Sequence, residues 1–111
     1  MTDPQTIEWH RVASTEDFRS AESKAITLKG RSIGLFRVAD AYYAIDDICT
    51  HEFALLSDGF VEGCEIECPL HMARFDLRTG KAVAPPADAD VATFPVKVEG
   101  SDIYVGLAGA A

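Results

Sequence analysis

Two short segments constrain this chain more than any other feature: Cys49-Thr50-His51 and Cys68-Pro69-Leu70-His71, with sixteen residues between them. Each is short enough for one loop to present both of its side chains. Together they offer two thiolates and two imidazoles to one site. That set can hold zinc tetrahedrally, but the usual zinc spacing groups cysteine with cysteine and histidine with histidine. Here each half is mixed. Mixed halves suit two metal ions, one iron taking both cysteines and the other both histidines, as in [2Fe–2S] centres with two histidine ligands. Reading all four as unrelated core residues would require two separate coincidences of spacing.

Such loops need a rigid support, and the flanking sequence reads as strands. Ile26 and Leu28 alternate with Thr27 and Lys29, and Gly30-Arg31-Ser32 is expected to turn the chain. Ile33 to Val38 reads as the next strand, with Ala39-Asp40-Ala41 as a hairpin connection into Tyr42 to Ile45. Later, Phe94, Val96 and Val98 alternate with polar or cyclic neighbours, Gly100-Ser101-Asp102 turns, and Ile103 to Leu107 follows. Short strands with polar turns predict an all-β antiparallel sandwich or barrel. One short helix is expected after Ser14, which reads as an N-cap with Glu16 and Asp17 in the first turn. Trp9 and Phe18 are expected in the core.

The length of 111 residues suits a single domain over residues 1–111. The segment from about 46 to 86 holds all three cysteines and two of the three histidines, and reads as a smaller cluster-binding subdomain inserted into a scaffold made by the two ends. The net charge of −8 makes nucleic acid an unexpected partner. Met1 to Glu8 lacks a basic-then-apolar pattern, and no apolar run approaches membrane-helix length, so a cytoplasmic protein without membrane association is expected. Three cysteines, an odd number, argue against a secreted disulfide framework.

At these residues the chain resembles a known family. Cys-x-His-x16-Cys-x-x-His looks like the Rieske motif. Ile66 to Gly80 resembles the second cluster loop of Rieske ferredoxins from bacterial aromatic-ring-hydroxylating oxygenase systems. Tyr43-Ala44-Ile45-Asp46-Asp47 and Phe94-Pro95-Val96-Lys97-Val98-Glu99-Gly100 fit as well. The resemblance implies one Rieske-type [2Fe–2S] cluster per chain, with Cys49 and Cys68 on the buried iron and His51 and His71 on the outer one. It implies Pro85 and Pro86 as a covering loop, and Gly80 as a turn where positive φ is favourable. It implies an electron-transfer component, not an enzyme, placed between an NAD(P)H-dependent ferredoxin reductase and the large subunit of a terminal oxygenase. A freely diffusing monomer is the default expectation.

Departures from the wider family narrow this reading. Quinol-oxidising respiratory members carry two further cysteines in a disulfide, at positions that here read Ala54 and Leu70. They also carry a serine and a tyrosine that donate to sulfur, at positions that here read Ala73 and Phe75. Without those donors a low reduction potential is expected, within a range of roughly −150 to +300 mV for such centres. Cys64 matches none of these positions and reads as structural. Phe53, Leu55, Leu70, Met72 and Pro85 lie beside the ligands and are candidates for covering the cluster or for docking. His10, the only other histidine, has no partner for a mononuclear iron site, so the chain is not read as the oxygenase itself. Two alternatives stay open: a Rieske-like small subunit of another reductase, such as assimilatory nitrite reductase, and a zinc-stabilised interaction module.

Overall fold

Ile33-Gly34-Leu35-Phe36 is a continuous run without polar alternation, and a strand of that kind needs cover on both faces. The computed structural model, which describes residues 7–49, 54–69, 73–84 and 89–108, supplies that cover. The described chain begins with β1 (Ile7–Ser14), a 3₁₀ turn (Thr15–Phe18), β2 (Ser23–Leu28), β3 (Arg31–Val38) and β4 (Ala41–Asp46). A second 3₁₀ turn (Leu56–Asp58) precedes β5 (Phe60–Glu62), β6 (Glu65–Glu67), β7 (Arg74–Asp76) and β8 (Ala82–Ala84). The chain closes with β9 (Thr93–Phe94), β10 (Val96–Glu99) and β11 (Asp102–Ala108).

Every strand pairing is antiparallel, as the all-β expectation required. Three sheets form, in the orders β1-β11-β10, β2-β3-β4-β9 and β5-β6-β7-β8. The middle sheet separates two cores. Ile33 and Leu35 of β3 and Ala44 of β4 face a core shared with Ala13, Ile103 and Val105 of the first sheet. Phe36 and Ile45 face the other way, onto Ile66, Phe75 and Leu77. This two-sided burial explains why β3 reads as a solid apolar run.

The turn after β2 falls at Lys29-Gly30, one residue earlier than the sequence suggests, and both residues take positive φ (51° and 78°). Arg31 and Ser32 already belong to β3, paired with Leu28 and Thr27. The helix after Ser14 is a single 3₁₀ turn with a full capping box: Ser14 accepts from Glu16, and Asp17 accepts from the Ser14 amide. Phe18 is buried as expected.

Trp9 is a correction. It is 36% exposed on the outer face of the first sheet, beside Gly106 in the register. Its ring carries the Lys97 ammonium at 4.7 Å, and Tyr104 lies 5.5 Å from the same ammonium. Strand alternation sends residue 9 outward, and a cation over the ring takes the place of core packing. β1 itself, eight residues long, is a strand the sequence did not announce, because Glu8, His10 and Arg11 interrupt its apolar pattern.

Candidate metal centre

Two loop stems built on the same plan bring Cys49 and Cys68 into the second core. After β4 the chain runs through Asp47 to Ile48, which bridges Leu55. Cys49 then donates its backbone N–H to the carbonyl of Ala54 at 2.9 Å. After β6, Cys68 likewise donates to the carbonyl of Ala73 at 2.7 Å, and β7 begins at the next residue. Each cysteine therefore sits on the last rung of its stem, with its acceptor five residues on.

Cys49 is 4% exposed and Cys68 1%. Both belong to one core, with Phe36, Ile45, Leu56, Ile66, Ala73, Phe75, Leu77 and Val91 around them. The expected ligands His51 and His71 lie outside the described residues. So do Phe53, Leu70, Met72, Pro85 and Pro86.

The stems explain how the loops are held. Glu67 and Arg74 stand opposite each other below the second loop. The Arg74 guanidinium reaches Glu67 at 3.1 Å, Glu62 at 3.0 Å and Glu65 at 3.4 Å. Its hydrogen bonds to Glu67 and then Glu62 hold its pKa above the ordinary arginine value. Below the first loop, the buried carboxylate of Asp47 accepts from both the amide and the hydroxyl of Ser57, each at 2.6 Å. Where β5 meets β6 the chain passes close: a Cβ on Gly59 would overlap the carbonyl oxygen of Glu67, so glycine permits the contact.

Beyond the second loop, Gly80 takes φ of 76°, as the turn required. Its amide donates to the Asp76 carbonyl at 2.7 Å, and its own carbonyl accepts from Val91 at 2.8 Å. The Arg78 guanidinium reaches Asp76 at 3.1 Å and holds that carboxyl below the usual carboxylate range. Cys64 is half-buried against the same core. A hydrogen bond with Cys64 raises the pKa of the Tyr43 hydroxyl. Ile48 and Leu55 leave an apolar pair partly exposed beside the first loop, at 40% and 36%.

The residues present fit an iron–sulfur cluster. The two thiols are removed from water, belong to one core, and are not joined in a disulfide. Apolar side chains form the rest of that core, which is the dry surrounding that sets the behaviour of such a centre. Sequence reasoning missed Asp47, Ser57, Gly59 and Arg74. Nothing local separates the buried Asp47 from its neighbour Asp46, and only the fold pairs residue 47 with residue 57.

The family model of the Rieske [2Fe–2S] domain matches residues 8–95. This chain belongs to the Rieske [2Fe–2S] domain family. Its Rieske relatives include the ferredoxin component of a naphthalene 1,2-dioxygenase system from Pseudomonas putida, 39% identical over 102 residues, covering 92% of this chain and 98% of the relative. Among solved structures, the ferredoxin of carbazole 1,9a-dioxygenase from Nocardioides aromaticivorans IC177 superposes with a TM-score of 0.83 at 36% identity, covering 87% of this chain and 95% of that one. A chain from a complex of reduced oxygenase and oxidised ferredoxin in carbazole 1,9a-dioxygenase gives 0.81 at 33% identity, covering 87% and 91%. A small-subunit structure described as that of an NADH-dependent nitrite reductase from Mycobacterium tuberculosis shares the fold, with a TM-score of 0.85 at 18% identity, covering 96% and 100%.

Proposed function

We propose that this Rieske protein is a one-electron carrier that holds its [2Fe–2S] cluster on Cys49, His51, Cys68 and His71. It takes electrons from an NAD(P)H-dependent ferredoxin reductase and delivers them to a terminal aromatic-ring-hydroxylating oxygenase. The observation that carries this reading is the placing of Cys49 and Cys68, both buried in one core, each at the end of a hydrogen-bonded stem. Ferredoxin components of dioxygenase systems among its relatives support the choice of partners. The residues from about 46 to 86 form the cluster-binding subdomain. The protein works as a cytoplasmic monomer; among the described residues no helix is long and apolar enough to cross a membrane.

When bound, the cluster supplies reversible storage of one electron. The chain's own residues do the rest. Cys49 and Cys68 would hold the inner iron away from water, with the surrounding apolar side chains keeping that side dry. His51 and His71 would hold the outer iron, and their ring edges would offer the path for electrons to and from a partner. If only that edge were open to partners, reductase and oxygenase would use the same face in turn.

Purified protein is expected to be brown, with a reduced-state EPR signal of low average g. Cys49→Ser, Cys68→Ser, His51→Ala and His71→Ala are each expected to abolish that signal. Reconstitution with a reductase and an oxygenase should give NADH-driven ring hydroxylation, with the two proteins competing for the carrier. Colourless protein containing zinc would overturn the reading, and a stable ternary complex would overturn the shared face.

A further inference from the structure

Among the described residues Asp47 is the only fully buried charged side chain, at 1% exposure. Burial of a carboxylate is costly unless its oxygens are hydrogen-bonded. Here both oxygens are used on one residue ten positions away: Oδ1 accepts the Ser57 amide and Oδ2 the Ser57 hydroxyl. The backbone adds to this. The Asp47 carbonyl accepts the Leu56 amide at 2.6 Å, and the Asp47 amide donates to Ser32 of β3 at 3.1 Å. Ser57 is tied down in turn, because the Ser23 hydroxyl of β2 donates to its carbonyl at 2.7 Å.

Residues 47 and 57 are the two stems of the loop that bears Cys49. The clamp therefore closes that loop at its base and fastens both stems to the middle sheet. Gly34 of β3 leaves the space for it: a Cβ there would stand 2.8 Å from Asp47 Oδ1 and 2.7 Å from the Phe36 ring. The second loop is closed differently, by the partly exposed Glu67–Arg74 pair. Water competes for an exposed pair far more than for a buried one.

We infer that Asp47 is a positioning residue for the metal centre: its clamp on Ser57 holds Cys49 in register with Cys68. This rests on the cluster reading above. The role belongs to the hydrogen-bond geometry. An asparagine would keep it, with the amide oxygen accepting from the Ser57 N–H and the amide nitrogen donating to a reversed Ser57 hydroxyl.

The test uses the cluster-loaded full chain as wild type, Asp47→Ala, Asp47→Asn, Ser57→Ala and Arg11→Gln. Iron release to a ferrous chelator, the reduced-state EPR spectrum and thermal unfolding are measured on each. Asp47→Ala is expected to release iron about tenfold faster or more, from the loss of two hydrogen bonds to a charged group, with shifted or broadened g values. Ser57→Ala is expected to fall between Asp47→Ala and wild type. Asp47→Asn and Arg11→Gln, the latter breaking an exposed ion pair on the first sheet, are expected to keep the wild-type spectrum and rate.

If Asp47→Ala does not fold, Ser57→Ala and Asp47→Asn decide the matter by the same readouts. Unchanged release and spectra in Asp47→Ala and Ser57→Ala, even with lowered thermal stability, overturn the clamp while leaving the cluster reading intact. An Asp47→Asn variant as leaky as Asp47→Ala also overturns it. A wild-type protein without the low-g signal overturns the cluster reading itself, and this role with it.

Discussion

Cys68 donates its backbone N–H to the carbonyl of Ala73 at 2.7 Å, so the residue that closes the second loop is held close to a proposed ligand. Ala73 and Phe75 are both fully buried in the core that contains Cys68. Neither carries a hydroxyl. A donor to sulfur would disperse negative charge and favour the reduced state. The midpoint is therefore expected at the low end of a range of roughly −150 to +300 mV. Ala73→Ser and Phe75→Tyr are expected to raise it. A hydrogen bond stronger by about 1 kcal/mol in the reduced state corresponds to roughly 40 mV for one electron. Redox titration checks this; a wild-type midpoint above about +100 mV, or no rise in either variant, contradicts it.

Gly80 joins the end of β7 to Val91, and a Cβ on it would overlap the Val91 carbonyl oxygen. Gly80→Ala is expected to cost about 1–3 kcal/mol, from left-handed strain plus the displaced contact. Gly63 also has positive φ (59°), but its surroundings are open. Gly63→Ala should cost the strain alone, about 1 kcal/mol. Urea unfolding of the two variants side by side measures the difference, and equal losses would argue against the packing contribution.

Leu56 has no exposure, and its amide donates to Asp47 at 2.6 Å. Leu56→Ala opens a cavity beside the buried cysteines and is expected to cost about 2–5 kcal/mol. Denaturant unfolding reads the loss directly. Faster bleaching of the visible spectrum should accompany it, because the same core surrounds Cys49 and Cys68.

The Asp76 carboxyl is held below its usual range, first by the Arg78 guanidinium and also by the Arg78 amide. A depressed carboxylate stabilises the fold above its unfolded pKa, and loses that contribution as pH falls through its folded pKa. Wild type should therefore exceed Asp76→Asn in stability most at neutral pH, with the gap closing in acid. Chemical unfolding across a pH series tests this. A gap independent of pH would show that the charge is not the cause.

Much of the middle sheet, and β10 and β11 of the first, was readable because their residues carry the pattern locally. Ile33 to Phe36 needed cover on both faces, and the strands near Phe94, Val98 and Ile103 fall as the alternation predicts. Pro95 separates β9 from β10. The strands β5 to β8 were not separately legible. Three residues each are too few for a period to register, and they persist because they pair with one another and cover Ile66 and Phe75. Trp9 was misplaced because ring size suggests burial, while register decides which face a residue takes.

By itself the sequence determined which donor types are on offer: two Cys/His pairs at spacings that suit one two-iron centre, with no hydroxyl at Ala73 or Phe75. Donor chemistry and short-range spacing are local properties, so they survive without coordinates. Only the tertiary structure brought Cys49 and Cys68 into one buried core, set Gly59 against Glu67, and joined Asp47 to Ser57. Those relations depend on register and on which face of a sheet a residue occupies. They arise when the two cores close on either side of the middle sheet, and no single segment encodes them.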